Sequence, residues 1–154
     1  MLTKAESNNF NKLIAFCIKQ GVTVEKSHEG YAEFQFLQTK NKKGFLHQTI
    51  KYNKFLPKIF LTYSLLHEMG HRELISQGFE KTYGKTFDKG FMQILEEILA
   101  WQKGLEIAKK AKIKINQKGY AQHAQRALRT YIAGIFMFDE KEVSKIQKAI
   151  DKFY

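Results

Sequence analysis

Two histidines four residues apart, with a glutamate directly after the first, are the residues of this chain best suited to chemistry. They stand in Leu65-Leu66-His67-Glu68-Met69-Gly70-His71, an H-E-x-x-H pattern. On a helix, His67 and His71 project from one face and can grip one zinc ion at about 2.0–2.1 Å from each nitrogen. Glu68 is rotated away from both but borders the same open site, where it can take a proton from a metal-activated water. A random shuffle of this composition yields the pattern in about one chain per hundred. Context raises its weight, because the flanking residues suit a helix and those on the N-terminal side are apolar, as a buried active-site helix requires.

A catalytic zinc takes a third protein ligand and keeps its fourth position for water. His123, Glu96 and Glu97 are the candidates. The two glutamates lie in Phe91-Met92-Gln93-Ile94-Leu95-Glu96-Glu97-Ile98-Leu99-Ala100-Trp101, unusually apolar surroundings for adjacent carboxylates. Glu97 comes three residues after Ile94 and four before Trp101, so on a helix it shares their face. Glu96 neighbours Gln93, Ala100 and Lys103, a more polar strip. Glu97 is therefore the expected ligand, and Glu96 is either solvated or orients a ligand from behind. Amide hydrolysis also needs a donor for the developing oxyanion. His123, Tyr83, Tyr120 and Tyr131 could each supply it. The His/His/Glu set favours one Zn²⁺ per chain, with iron or cobalt as possible substitutes in a purified sample.

Elements must hold these side chains. Thr3 and Glu6 have capping-box spacing ahead of Phe10, Leu13, Ile14, Phe16 and Cys17, which recur at helical period, and Gly21 is suited to end that helix. Val22 and Val24 open a short strand, Tyr31 to Leu37 a second and Phe45 to Tyr52 a third. Lys40 to Gly44 reads as a hairpin connection between the last two. These strands predict a small, three-stranded antiparallel sheet. Pro57 suits the first turn of the helix carrying His67 and His71, which runs to about Ser76 with Gly78 beyond it. Residues 78–90, with Gly78, Gly84 and Gly90, read as a loop. A helix from about Phe91 to Lys110 follows, then another over roughly Ala121 to Phe138. A last one starts at Asp139, with Val143, Ile146, Ile150 and Phe153 as its apolar stripe. The expected class is α+β: a small sheet packed on a helical core, with a helix-rich C-terminal half.

The chain has 154 residues, 44% of them hydrophobic and 27% charged, the proportions of one globular domain. We expect a single domain over 1–154, with a catalytic core over 1–110 and a helical part over 111–154. No run of 18 apolar residues suggests a membrane span, and the first residues lack a secretory signal's apolar stretch. A lone cysteine, Cys17, makes no internal disulfide and reads as a core residue, so the expected compartment is the cytosol of a bacterium or an infected host cell. The net charge of +11 comes from 23 lysines and only Arg72, Arg126 and Arg129. Sequence-specific base reading leans on arginine. The lysines read first as a solvated surface, with non-specific nucleic-acid contact open and no nucleic-acid-binding residue singled out. His28 and His47 lack ligand spacing to the motif and read as surface.

The HEMGH motif, preceded by Ile50-Lys51-Tyr52-Asn53 and followed after 25 residues by Glu97-Ile98-Leu99-Ala100, resembles the gluzincin arrangement. It looks most like the ImmA/IrrE-like zincin metallopeptidases and the small zincin-like proteins of phages and mobile elements. The resemblance covers residues 3–110. It implies a helix, a three-stranded sheet, the motif helix and the third-ligand helix, with His67, His71 and Glu97 binding zinc and Glu68 as general base. It implies hydrolysis of a peptide bond in a protein or peptide substrate. Trp101 departs from the Asn or Asp usual after the alanine. A second reading keeps the fold but makes the chain a DNA-associated protease similar to the SprT group, although Tyr83 stands where that group has its histidine ligand. A third is a catalytically silent zinc protein that binds a host factor.

Overall fold

The computed structural model describes residues 4–27, 34–40, 46–53, 55–83, 89–135 and 148. The element order is α1 (Lys4–Lys19), β1 (Val22–Ser27), β2 (Phe34–Lys40), β3 (Leu46–Asn53), α2 (Lys58–Ser76), α3 (Phe79–Tyr83), α4 (Lys89–Lys110) and α5 (Gln117–Ile135). The α+β order is the expected one. No helix among the described residues is long and apolar enough to cross a membrane.

Helix α1 buries Phe10, Leu13 and Cys17 at helical spacing. It stops where Gly21 adopts φ 78°, a left-handed conformation that costs glycine little. The chain then enters β1 at once. The sheet is three-stranded, but it is mixed rather than antiparallel throughout. Its order is β1-β3-β2: β3 pairs antiparallel with β2 and parallel with β1. Ile50 of β3 thus lies in register between Val24 and Phe36. Alternation marks which residues form strands, but not the edge each strand joins. That edge is decided by packing. Phe10 of α1 meets Tyr52 of β3 edge-on, with ring centroids 5.3 Å apart. With β1 following α1 through a tight turn, this contact brings β1 alongside β3.

Several boundaries differ from expectation. The second strand is described over 34–40, past the expected end at Leu37; Tyr31, its expected start, lies outside the described residues with 32 and 33, as do 41–45 of the expected hairpin connection. Within the expected loop over 78–90 sits the short helix α3, anchored by Phe79, which is buried against Leu74 and Ala100. Helix α5 starts at Gln117, before the expected Ala121, because the Asn116 side chain accepts the Gly119 N–H at 3.1 Å. The expected helix from Asp139 lies outside the described residues except for Lys148, which is helical and exposed.

Helix α2 is the centre of the molecule. Pro57, at φ −55°, immediately precedes it, and every residue from Leu61 to His67 is buried. Arg72 ties α2 to the sheet side: it donates to the Gln48 side chain at 2.6 Å and to the Gln20 carbonyl at 2.8 Å. On the opposite side α2 packs against α4 at two glycines. A Cβ added to Gly70 would run into the Ala100 carbonyl oxygen and stand 2.8 Å from its carbon. One added to Gly104 would strike the Tyr120 hydroxyl and lie 3.0 Å from the Leu66 carbonyl oxygen. The two helices therefore touch backbone to backbone, which only glycine permits. Gly70 lies within the motif, directly before His71, so this contact governs how closely α4 approaches the histidines.

Candidate metal centre

His67 and His71 project from one face of α2 toward Glu97 on α4. The His67 and His71 Nε2 atoms are 3.1 Å apart. Glu97 Oε2 lies 3.1 Å from His67 Nε2, and Glu97 Oε1 lies 3.5 Å from His71 Nε2. Tetrahedral bonds of about 2.0–2.1 Å put neighbouring donor atoms roughly 3.3–3.4 Å apart. The three gaps bracket that value. Among the described residues, only these three form a cluster of His, Cys, Asp and Glu able to hold a metal. The donor set of two imidazoles and a carboxylate suits zinc.

Burial shapes the site's electrostatics. His67 and Glu97 are both 6% exposed. Burial holds the His67 pKa below its ordinary value, which keeps the ring neutral. Burial also opposes charge on His71, but hydrogen bonds to Glu96 and Glu97 outweigh it and raise the His71 pKa well above the usual range. Glu97 moves the opposite way: burial works against its carboxylate, and the two histidines overcome it and keep it ionised. Burial pushes Glu68 up to about 7, against the pull of the His71 cation. A carboxylate poised there can exchange a proton near neutral pH. Zinc loading at neutral pH should therefore release protons, because His71 must give up its proton to bind the ion. Calorimetry in buffers of different ionisation enthalpy measures this, and a proton count of zero would refute a protonated His71.

Glu96 stands behind His71. Its Oε1 stands 3.1 Å from His71 Nδ1, the nitrogen opposite the cluster, and fixes which nitrogen faces Glu97. Glu96→Ala should weaken zinc binding by about 10–100-fold, the usual cost of losing such a partner. Competition against a chelating dye reads this out; unaltered affinity would show the contact to be idle. His67 has a different support. Its ring stacks on Trp101 with centroids 4.2 Å apart and planes 18° apart. Its Nδ1 is buried with no hydrogen-bond partner among the described residues. Trp101 thus holds the imidazole by packing.

The donor candidates separate. Tyr120 is 1% exposed, and its hydroxyl donates to the Trp101 carbonyl at 2.8 Å, so it is a structural residue. The Tyr83 side chain and the following residues 84–88 lie outside the described residues. Tyr131 faces Glu97 closely enough to hydrogen-bond it, and burial together with the nearby carboxylates pushes its phenol up to about 12. His123 sits farther along, its Nε2 3.3 Å from Ser64 Oγ and its ring stacked on Phe60 with centroids 5.3 Å apart. His123 and Tyr131 lie two turns apart on α5, so both line the same cleft as His67 and Glu68. The cleft has a volume of about 680 Å³. Its wall from α5 belongs to the part of the chain expected to lie outside the catalytic core, so α5 is part of the site.

Sequence reasoning missed Asn116, Ser64 and the two glycine contacts. Gly70 and Gly104 are visible as glycines inside helical patterns, which is itself a signal of close packing. Cys17 is fully buried, and burial pushes its thiol up to about 12, which makes it an inert core residue. His28 and the His47 side chain lie outside the described residues. A scan against protein-family models, a search of curated proteins and a search of solved structures each find no match to this chain.

Proposed function

We propose that this chain is a zinc-dependent metallopeptidase of the gluzincin kind, working on a protein or peptide substrate in the cytosol. The observation that carries the reading is the convergence of three donor atoms from two helices at tetrahedral spacing, beside a half-buried glutamate in a cleft wall. A structural zinc site closes with four protein ligands and has no use for a general base. This site offers three ligands among the described residues and keeps a carboxylate next to them.

His67, His71 and Glu97 would hold the ion, which supplies Lewis acidity that acidifies a water and polarises the substrate carbonyl. Glu68 accepts the proton of the attacking water and returns it to the leaving amine nitrogen, a role that suits a carboxylate whose burial raises its pKa. Glu96 keeps His71 in the required tautomer. Trp101 keeps the His67 ring in plane and excludes water from behind it. Tyr131 and His123 are the neighbouring donors able to hydrogen-bond the charge that develops on the carbonyl oxygen.

The test is elemental analysis joined to hydrolysis. Purified protein should carry about one zinc, and Glu97→Ala should carry sharply less. The wild type should cut members of a peptide library, lose that activity to a chelator and regain it with added zinc. No zinc in either protein, even after reconstitution, would overturn the reading. Zinc without cleavage of any peptide would favour the silent binding role.

A further inference from the structure

The cleft extends well past the metal centre, and its far part has its own chemistry. From His67 it follows α2 through Ser64 to Phe60, seven residues or about 10 Å along the helix axis. An extended peptide covers this in about three residues. The lining here is apolar: Leu56, Pro57, Phe60 and Ala127. Phe60 is 38% exposed, although the buried stretch of α2 begins directly after it at Leu61. One lysine or arginine lines this cleft, Arg126 of α5. It is exposed and has no hydrogen-bond or ion-pair partner among the described residues. It sits five residues before Tyr131, so its axial distance from the reacting end is about 7–8 Å, or two peptide residues. Of the carboxylates in the cleft lining, Glu68 is the sole one, and it stands at the reacting end.

We infer that this arm of the cleft selects peptides by a carboxylate about two residues from the cut bond. Arg126 grips the carboxylate, and an apolar neighbouring side chain rests on Phe60, Leu56 and Ala127. The inference rests on the metallopeptidase reading and names its substrate class. Guanidinium is suited to this task because its planar fork meets a carboxylate with two parallel hydrogen bonds. The chain's net charge of +11 favours encounter with acidic peptides in general. A preference confined to one position would therefore mark Arg126 rather than the overall field. The carboxylate could belong to an Asp or Glu side chain or to a free peptide C-terminus.

Fluorogenic peptides with a fixed apolar residue would carry Glu, Gln or Lys at each position in turn, each made with a free and an amidated C-terminus. In the zinc-loaded wild type, kcat/KM for Glu over Lys should be about tenfold at one position two residues from the cut and near unity elsewhere. Arg126→Glu should invert that ratio while zinc content, which reports an assembled site, stays the same. A Glu preference that survives amidation assigns an acidic side chain; cleavage two residues from a free C-terminus that both amidation and Arg126→Glu weaken, with no Glu preference, assigns a terminal carboxylate. Equal ratios at every position together with indifference to amidation, or preferences untouched by Arg126→Glu, would overturn the inference while leaving hydrolysis standing. Fluorescence anisotropy of the same labelled peptides on Glu68→Gln protein separates the two claims. Position-specific, Arg126-dependent binding without cleavage in the wild type would uphold the carboxylate site and remove the peptidase. Neither binding preference nor cleavage would remove both.

Discussion

Glu68→Gln should keep its zinc and lose peptide hydrolysis by about 10²–10⁴-fold, the usual contribution of a positioned general base. That corresponds to roughly 3–5 kcal/mol of lost transition-state stabilisation. Glutamine has nearly the volume of glutamate, so the packing along α2 is preserved. It cannot accept and return a proton at neutral pH. The proposed ligands His67, His71 and Glu97 are untouched, and their mutual spacing depends on the α2–α4 contact rather than on Glu68. The informative measurement is therefore a pair: zinc by elemental mass spectrometry and kcat/KM on the best peptide, from the same preparation. Full zinc with full turnover would remove Glu68 from the mechanism. Loss of zinc together with activity would instead give Glu68 a structural share in the site.

Gly70→Ala should destabilise the fold by about 2 kcal/mol and weaken zinc binding with it. Alanine in place of glycine in a helix interior gains about 1 kcal/mol by propensity alone. Here the new Cβ would run into the Ala100 carbonyl, a backbone atom that no rotamer change can move. Overpacking of this kind costs about 3 kcal/mol at the upper end of the usual range. The steric cost therefore exceeds the propensity gain. A loss of this size lowers Tm by roughly 4–8 °C for a domain of about 150 residues. The helices must separate, and Glu97, one turn from Ala100, withdraws from both imidazoles. Thermal unfolding with and without zinc tests this: the stabilisation by zinc should shrink in the variant as its affinity falls. A Gly70→Ala protein as stable as the wild type, with equal zinc affinity, would show that α2 and α4 are not held backbone to backbone.

How much of the site was legible depends on whether each relationship is local. The pair His67 and His71 is a statement about one helix, because residues four apart share a face whenever the helix forms. The inward orientation of Glu97 follows from its spacing to Ile94 and Trp101, and all three are buried. Glu96 could be read only as solvated or orienting, because its partner His71 lies on another helix 25 residues away. Tyr120 and Tyr131 look alike along the chain. Eleven residues separate them on one helix, which turns Tyr120 into the contact with Trp101 and Tyr131 toward Glu97. The sheet divides similarly. Alternation identifies three strands, and the short link makes β2 and β3 antiparallel neighbours. The parallel placement of β1 against β3 depends on α1 packing over Tyr52.

By itself, the order of residues determined the α+β class, the helices that carry the motif, the donor types and the glutamate beside them, since periodicity and residue chemistry act over a few positions. Tertiary structure alone decided that these donors meet. Backbone contact at Gly70 and Gly104 brings a short carboxylate within 3.1–3.5 Å of two imidazoles. The turn of α5 onto α2 then builds the cleft in front of them. Both depend on close packing between segments far apart in the chain, which local periodicity does not encode.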